Sequence, residues 1–200
     1  MPQGVPARIG LRTRRQSEAT PRPLAVYEQY LQTLRYEPVT LLEIGGSRRC
    51  EPPYLAGLVP LGRIYGVEIN ADAMQHEDER IRVFIGSQSD AAFLEDVVAE
   101  SGKPDIIIDD GSHLASDQIG SLLHLWPHLK AGGYYIVEDT HTSYLSDFSM
   151  GLRQPGTTIE LLKSVVDDVH AMWHDGEVTL PQCEWVVFAN EACLIRKLAS

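Results

Sequence analysis

Two apolar runs end in acids: "PDIIIDDGSHL" delivers Asp109 and Asp110, and "GGYYIVEDTHTSY" delivers Glu138 and Asp139. Carboxylates gathered at one strand edge repel each other and acquire raised pKa values unless a cation neutralises them. No Lys or Arg lies within several residues of either pair. Oxygen donors, completed by substrate and water, suit Mg2+ or Mn2+ better than zinc. The other reading makes these acids helix caps or solvated loop residues, with Asp110 placed to cap a following helix. His113, three residues past Asp110, is close enough to serve the same cavity as a base. His124, His128, His170 and His174 fall on helical stretches and read as surface or packing residues, whereas His141, beside Asp139, is open to either role.

A second set of residues points to a nucleoside. "EIGGS" places Glu43, Gly45 and Gly46 at the end of an apolar run, and Glu68 follows about 20 residues beyond the glycines. An acid at that distance can accept both ribose hydroxyls. The full GxGxxG spacing is absent, and Pro52–Pro53 stands where a long phosphate-binding helix should begin, so a pyrophosphate site is poorly supported. A glycine turn and spaced acid without that cradle suggest an adenosyl ligand lacking a diphosphate. The alternative is a plain chain turn with a solvated Glu68.

These residues need a scaffold, and the hydrophobic periods supply one. Strand-like runs occur at 39–46, 63–70, 81–86, 105–110 and 132–139. Between and around them lie helical stripes: Leu24, Tyr27, Leu31 and Leu34; Phe93, Leu94, Val97 and Val98, capped by Ser89 and stopped at Gly102; Ile119, Leu122, Leu123 and Trp126; and Ile159, Leu162, Val165, Val166 and Val169. Alternating strand and helix predicts an α/β fold, a mostly parallel sheet covered on both faces. "EWVVFA" and "CLIRK", separated by a turn at Asn190–Glu191, can only be antiparallel. In such a sheet ligands bind beyond the carboxyl ends of the strands, where strand order reverses. The strands ending in Asp110 and Asp139 should be neighbours, and the stretch 143–157 is a candidate lid.

Composition narrows the class of partner. The 200 residues carry 44% apolar side chains and a net charge of −11, which suits one domain and opposes a nucleic-acid or anionic-membrane binder. Residues 1–22 hold five arginines against Glu18 and read as a flexible basic arm, leaving 23–200 as a single domain. Cys50, Cys183 and Cys193 lack metal spacing and read as reduced packing residues. No run approaches the roughly 18 apolar residues of a membrane span. A cytoplasmic, soluble chain is expected, and a homo-oligomer is compatible with it.

In order and spacing, "EIG", "GRIYGVEI", "GSQSD", "DIIIDDGSH", "HLKAGGYYIVEDTHTSY" and "NEACLIRK" resemble the metal-dependent sugar O-methyltransferases of antibiotic biosynthesis, over roughly residues 36–198. Ser87 departs from that pattern, which usually has an acid there, and the stretch after "EIG" is shorter. That family's additional N-terminal domain is not expected here. The resemblance implies a Rossmann-like class I methyltransferase with a seven-stranded sheet and a C-terminal antiparallel hairpin. It implies S-adenosyl-L-methionine as methyl donor, with Glu43, Gly45, Gly46, Glu68, Gln88, Ser89 and Asp109 on the cofactor side. Asp110, Glu138 and Asp139 would hold Mg2+, His113 would be the base, and His141 and Tyr144 would face the acceptor, a vicinal diol on a glycosylated natural product. A catechol-type methyltransferase would use the same cofactors. A metal-dependent hydrolase would not need Glu68, and a silent nucleoside-binding module would bind without turnover.

Overall fold

The computed structural model describes residues 24–45 and 52–199. The expected arm at 1–22, together with Gly46, Ser47 and Cys50, lies outside the described residues. Seven strands form one sheet: β1 Thr40–Gly45, β2 Arg63–Glu68, β3 Ile81–Ile85, β4 Ile106–Asp110, β5 Tyr134–Val137, β6 Cys183–Phe188 and β7 Cys193–Lys197. Their spatial order is β3-β2-β1-β4-β5-β7-β6. The first five are parallel neighbours, and β7 inserts antiparallel between β5 and β6. Strand order therefore reverses between β1 and β4, where the acidic strand ends emerge.

Alternation along each strand feeds two cores. Leu42, Ile44, Ile107, Tyr135 and Val137 face one side, against α3 (Ala91–Ser101), α4 (Ala115–Leu125) and α5 (Thr158–Val169). Leu41, Ile106, Ile108 and Ile136 face the other, against α1 (Leu24–Leu31) and α2 (Pro52–Leu58). Both faces of the central strands β1, β4 and β5 are largely buried, which is why their sequences read as apolar runs. Among the described residues, no helix is long and apolar enough to cross a membrane.

Local details differ from the sequence-based expectation in three places. Asp90, not Ser89, caps α3, its carboxylate accepting from the amides of Ala92 and Phe93. Ser89 instead shares a 2.8 Å hydrogen bond with Ser87. Pro52 and Pro53 open a seven-residue helix, because proline lacks only an amide that the first turn leaves unused. The 143–157 stretch is pinned at several points: residues 140–144 and 146–148 are 3-10 turns, and Ser143, Met150 and Thr157 are buried.

Candidate active site

Gly45 ends β1 at φ +82°, and a Cβ there would lie 2.2 Å from the Asp110 carbonyl oxygen. Only glycine allows β1 and β4 to finish this close together. Beyond their ends opens a cleft of about 440 Å³, walled by Gly45, Glu68, Gly86, Gln88, Asp110 and His113, among others. Glu68 is 5% exposed and its carboxylate accepts from the amide of Ile69 at 3.1 Å.

Strand alternation sends the two aspartates of β4 in opposite directions. Asp110 lines the cleft, whereas Asp109 is wholly buried beneath it. Burial pushes the Asp109 carboxyl above its ordinary pKa, and hydrogen bonds from Ser121, the Gly111 amide and Gln88 pull it back. The Gln88 side chain donates to Asp109 at 3.2 Å and its Oε1 accepts from the Ser112 amide at 2.8 Å. A Cβ on Gly111 would lie 1.9 Å from that same Oε1. Gln88, Asp109 and Gly111 thus shape the turn that carries His113.

The turn and the end of β5 meet through strained backbone. His113 and Asp139 both adopt left-handed conformations, at φ 58° and φ 49°. The Thr142 hydroxyl lies 3.2 Å from the His113 carbonyl and 2.9 Å from the Asp139 carbonyl, where it donates. His113 Nε2 is 3.5 Å from Asp139 Oδ2, and its Nδ1 is buried without a hydrogen-bond partner. Donor atoms of Asp110, His113 and Asp139 lie within 4.8 Å of one another. The two carboxylates fit a divalent cation such as Mg2+ or Mn2+ in their donor chemistry, and the imidazole stands beside them.

Several expected site residues are placed otherwise. Glu138 is not in that three-residue cluster: its carboxylate accepts from the Tyr27 hydroxyl and its carbonyl from Gln118 at 2.9 Å. Asp109 is a support beneath the cleft and not one of its wall residues, because the pleat turns it inward. Glu43 lines a small apolar cavity with Leu55, Gly66 and His76. Among the described residues it does not wall the main cleft, since residue 43 shares the sheet face of Leu41. Ser89, His141 and Tyr144 lie outside the wall too, although His141 Nδ1 is 3.8 Å from Asp139 Oδ1 and Tyr144 is 43% exposed. Asp110 is not the cap of α4, which begins at Ala115 with Leu114 at its N-cap and no side-chain cap hydrogen bond. Sequence reasoning passed over Ser112, Asp117, Gln118 and Thr142. Of these, the hydroxyl three residues after Asp139 was readable as a local backbone anchor.

No protein-family model matches the chain. It is 39% identical over 155 residues to the 8-demethyl-8-(2-methoxy-alpha-L-rhamnosyl)-tetracenomycin-C 3'-O-methyltransferase of Streptomyces olivaceus, covering 72% of this chain and 40% of the relative. It is 36% identical over 154 residues to the mycinamicin VI 2''-O-methyltransferase of Micromonospora griseorubida, covering 72% and 38%. The chain thus spans about 40% of the length of these curated relatives. Among solved structures it is similar to the MycE methyltransferase in complex with Mg, SAH and mycinamycin VI. The TM-score is 0.79 and the identity 29%, over 88% of this chain and 49% of that one. Strand order, glycine turn and sequence together give the chain the fold of class I methyltransferases and make it similar to the sugar O-methyltransferases of glycosylated antibiotics.

Proposed function

We propose that the chain transfers a methyl group from S-adenosylmethionine to a sugar hydroxyl of a glycosylated natural product, with the help of Mg2+ or Mn2+. The observation that carries this reading is the convergence of Asp110, His113 and Asp139 at one cleft whose wall also includes Gly45, Glu68 and Gln88. The relatives named for sugar O-methylation support the acceptor class, and the MycE complex supports the pairing of Mg with an S-adenosyl ligand. The net charge of −11 further favours a small acceptor over a nucleic acid.

Asp110 and Asp139 would hold the cation, with Glu138 the third acid at the same strand end. A cation held there would supply Lewis acidity, making an acceptor hydroxyl beside it more acidic. Glu68 binds the ribose hydroxyls, and Gly45 lets the ligand approach the backbone closely. His113 takes the acceptor proton at Nε2, the ring nitrogen facing Asp139, and that carboxylate offsets the charge the ring gains. The acceptor oxygen then forms a bond to the methyl carbon as the carbon–sulfur bond breaks, leaving S-adenosylhomocysteine. Thr142 and Gln88 hold the His113 turn so that base and acceptor meet in a reactive geometry.

Methyl transfer to rhamnosylated and other deoxysugar acceptors should be abolished by exhaustive chelation and restored by Mg2+ or Mn2+. Full turnover of the chelated protein would reject the metal. Calorimetry that detects no S-adenosylmethionine binding would reject the methyltransferase reading altogether, and transfer confined to catechols would move the acceptor class.

A further inference from the structure

A second group of metal-binding side chains bridges two helices away from the cleft wall. Glu95 stands on α3, His124 on α4, and His128 ends the 3-10 turn that continues α4. The two histidines are four residues apart, a spacing that places side chains on one helical face. Their rings lie 5.9 Å apart between centroids. Both present Nε2 to the same Oε1 of Glu95, from 3.3 Å and 3.1 Å. Donors around a tetrahedral ion with bonds of about 2.0–2.1 Å sit roughly 3.3 Å apart, so the spacing suits coordination.

The hydrogen bonding leaves one nitrogen unmet. His128 Nε2 hydrogen-bonds the carboxylate. His124 Nε2 is buried and has no hydrogen-bond partner, although it lies 3.3 Å from the same oxygen. A buried polar atom in that condition calls for an explanation, and a cation bound by its lone pair supplies one. Two imidazoles with one carboxylate select zinc over magnesium, because nitrogen donors suit a borderline-soft ion. Glu95 is half exposed, so the position between the three groups is reachable from solvent.

We propose that Glu95, His124 and His128 form a Zn2+ site, separate from the acidic site, that clamps α3 to α4. The inference does not rest on the methyltransferase reading. Its consequence for the cleft is mechanical: the loop before α3 carries Gln88, and the loop before α4 carries His113. Three protein ligands leave a fourth position for water, so the site would be a staple with an open face.

The test uses untagged protein carrying Asp110→Asn and Asp139→Asn, which removes the competing acidic donors. Zinc titration by calorimetry should give one equivalent per chain, and Tm should rise by about 5–10 °C at a hundredfold excess over Kd. Adding His124→Gln and His128→Gln should abolish both responses, and Mg2+ should produce neither. Equal zinc binding with and without the two histidines would overturn the site, as would Mg2+ binding as tight as that of zinc. Zinc-edge X-ray absorption of the native chain, loaded with two equivalents, provides a check that needs no variant. A spectrum without a site of two imidazoles would also overturn it.

Discussion

His113 and Asp139 hold left-handed backbone, which costs a residue with a Cβ about 1–3 kcal/mol. Thr142, itself 2% exposed, anchors the carbonyls of both. Strain tied to one anchor holds His113 and Asp139 in fixed relative places. His113→Ala should lower kcat by about 10²–10⁴-fold, the usual contribution of a positioned proton acceptor. Circular dichroism should show the fold retained. A folded variant with near-normal kcat would transfer the base role to His141, the other imidazole beside Asp139. Glu68→Ala should weaken S-adenosylmethionine binding by about 10–100-fold, since hydrogen bonds to a charged group contribute about 1.5–3 kcal/mol. Its metal affinity should stay unchanged by calorimetry, because Glu68 is not in the metal-type cluster.

At the scale of elements, the approach of β1 to β4 decides whether a cleft exists. Gly45 pairs with Asp110 in register, and its positive φ leaves no room for a side chain. Gly45→Ala meets both the left-handed penalty of about 1–2 kcal/mol and a clash with backbone, which cannot rotate away. Tm should fall by at least about 4 °C, and turnover should be lost with it. Gly120→Ala on α4 provides the opposite control. A Cβ there meets nothing within 4 Å, and the helix gains about 0.5–1 kcal/mol in propensity. Thermal melts of the two variants should therefore move in opposite directions, and a stabilised Gly45→Ala would contradict the close approach.

For the whole molecule, β7 lies between β5 and the edge strand β6, and the thiols of the described residues are buried in these two closing strands. Cys183 and Cys193 are free and buried. Burial pushes the Cys183 thiol up to about 12, and Cys193 higher still. Alkylation requires the thiolate and access to it. Iodoacetamide at pH 8 should leave both unmodified in the native protein and label both in denaturant, as read by peptide mass mapping. Native labelling of Cys193 at the denatured rate would mean that β7 opens readily. The same burial explains why these cysteines read in the sequence as packing residues.

The alternation of strand and helix, the antiparallel closing hairpin and the neighbouring β4 and β5 were all legible in the sequence, because period-two and helical patterns are local properties of the chain. So was the clustering of acids at strand ends, since a buried strand must emerge where its apolar run stops. What the sequence could not assign was the direction of each acid. Asp109 and Asp110 are adjacent and chemically identical, and only the register of β4 against β1 turns one into the support beneath the cleft and the other into its wall. The same holds for Glu138, whose partner Tyr27 is 111 residues away, and for Gln88, which reaches Asp109 and Ser112 across a gap of more than twenty residues. His124 and His128 likewise read as ordinary helical residues until the packing of α3 and α4 brings them to Glu95. Contacts of that kind depend on how elements pack, a long-range outcome that no local pattern encodes.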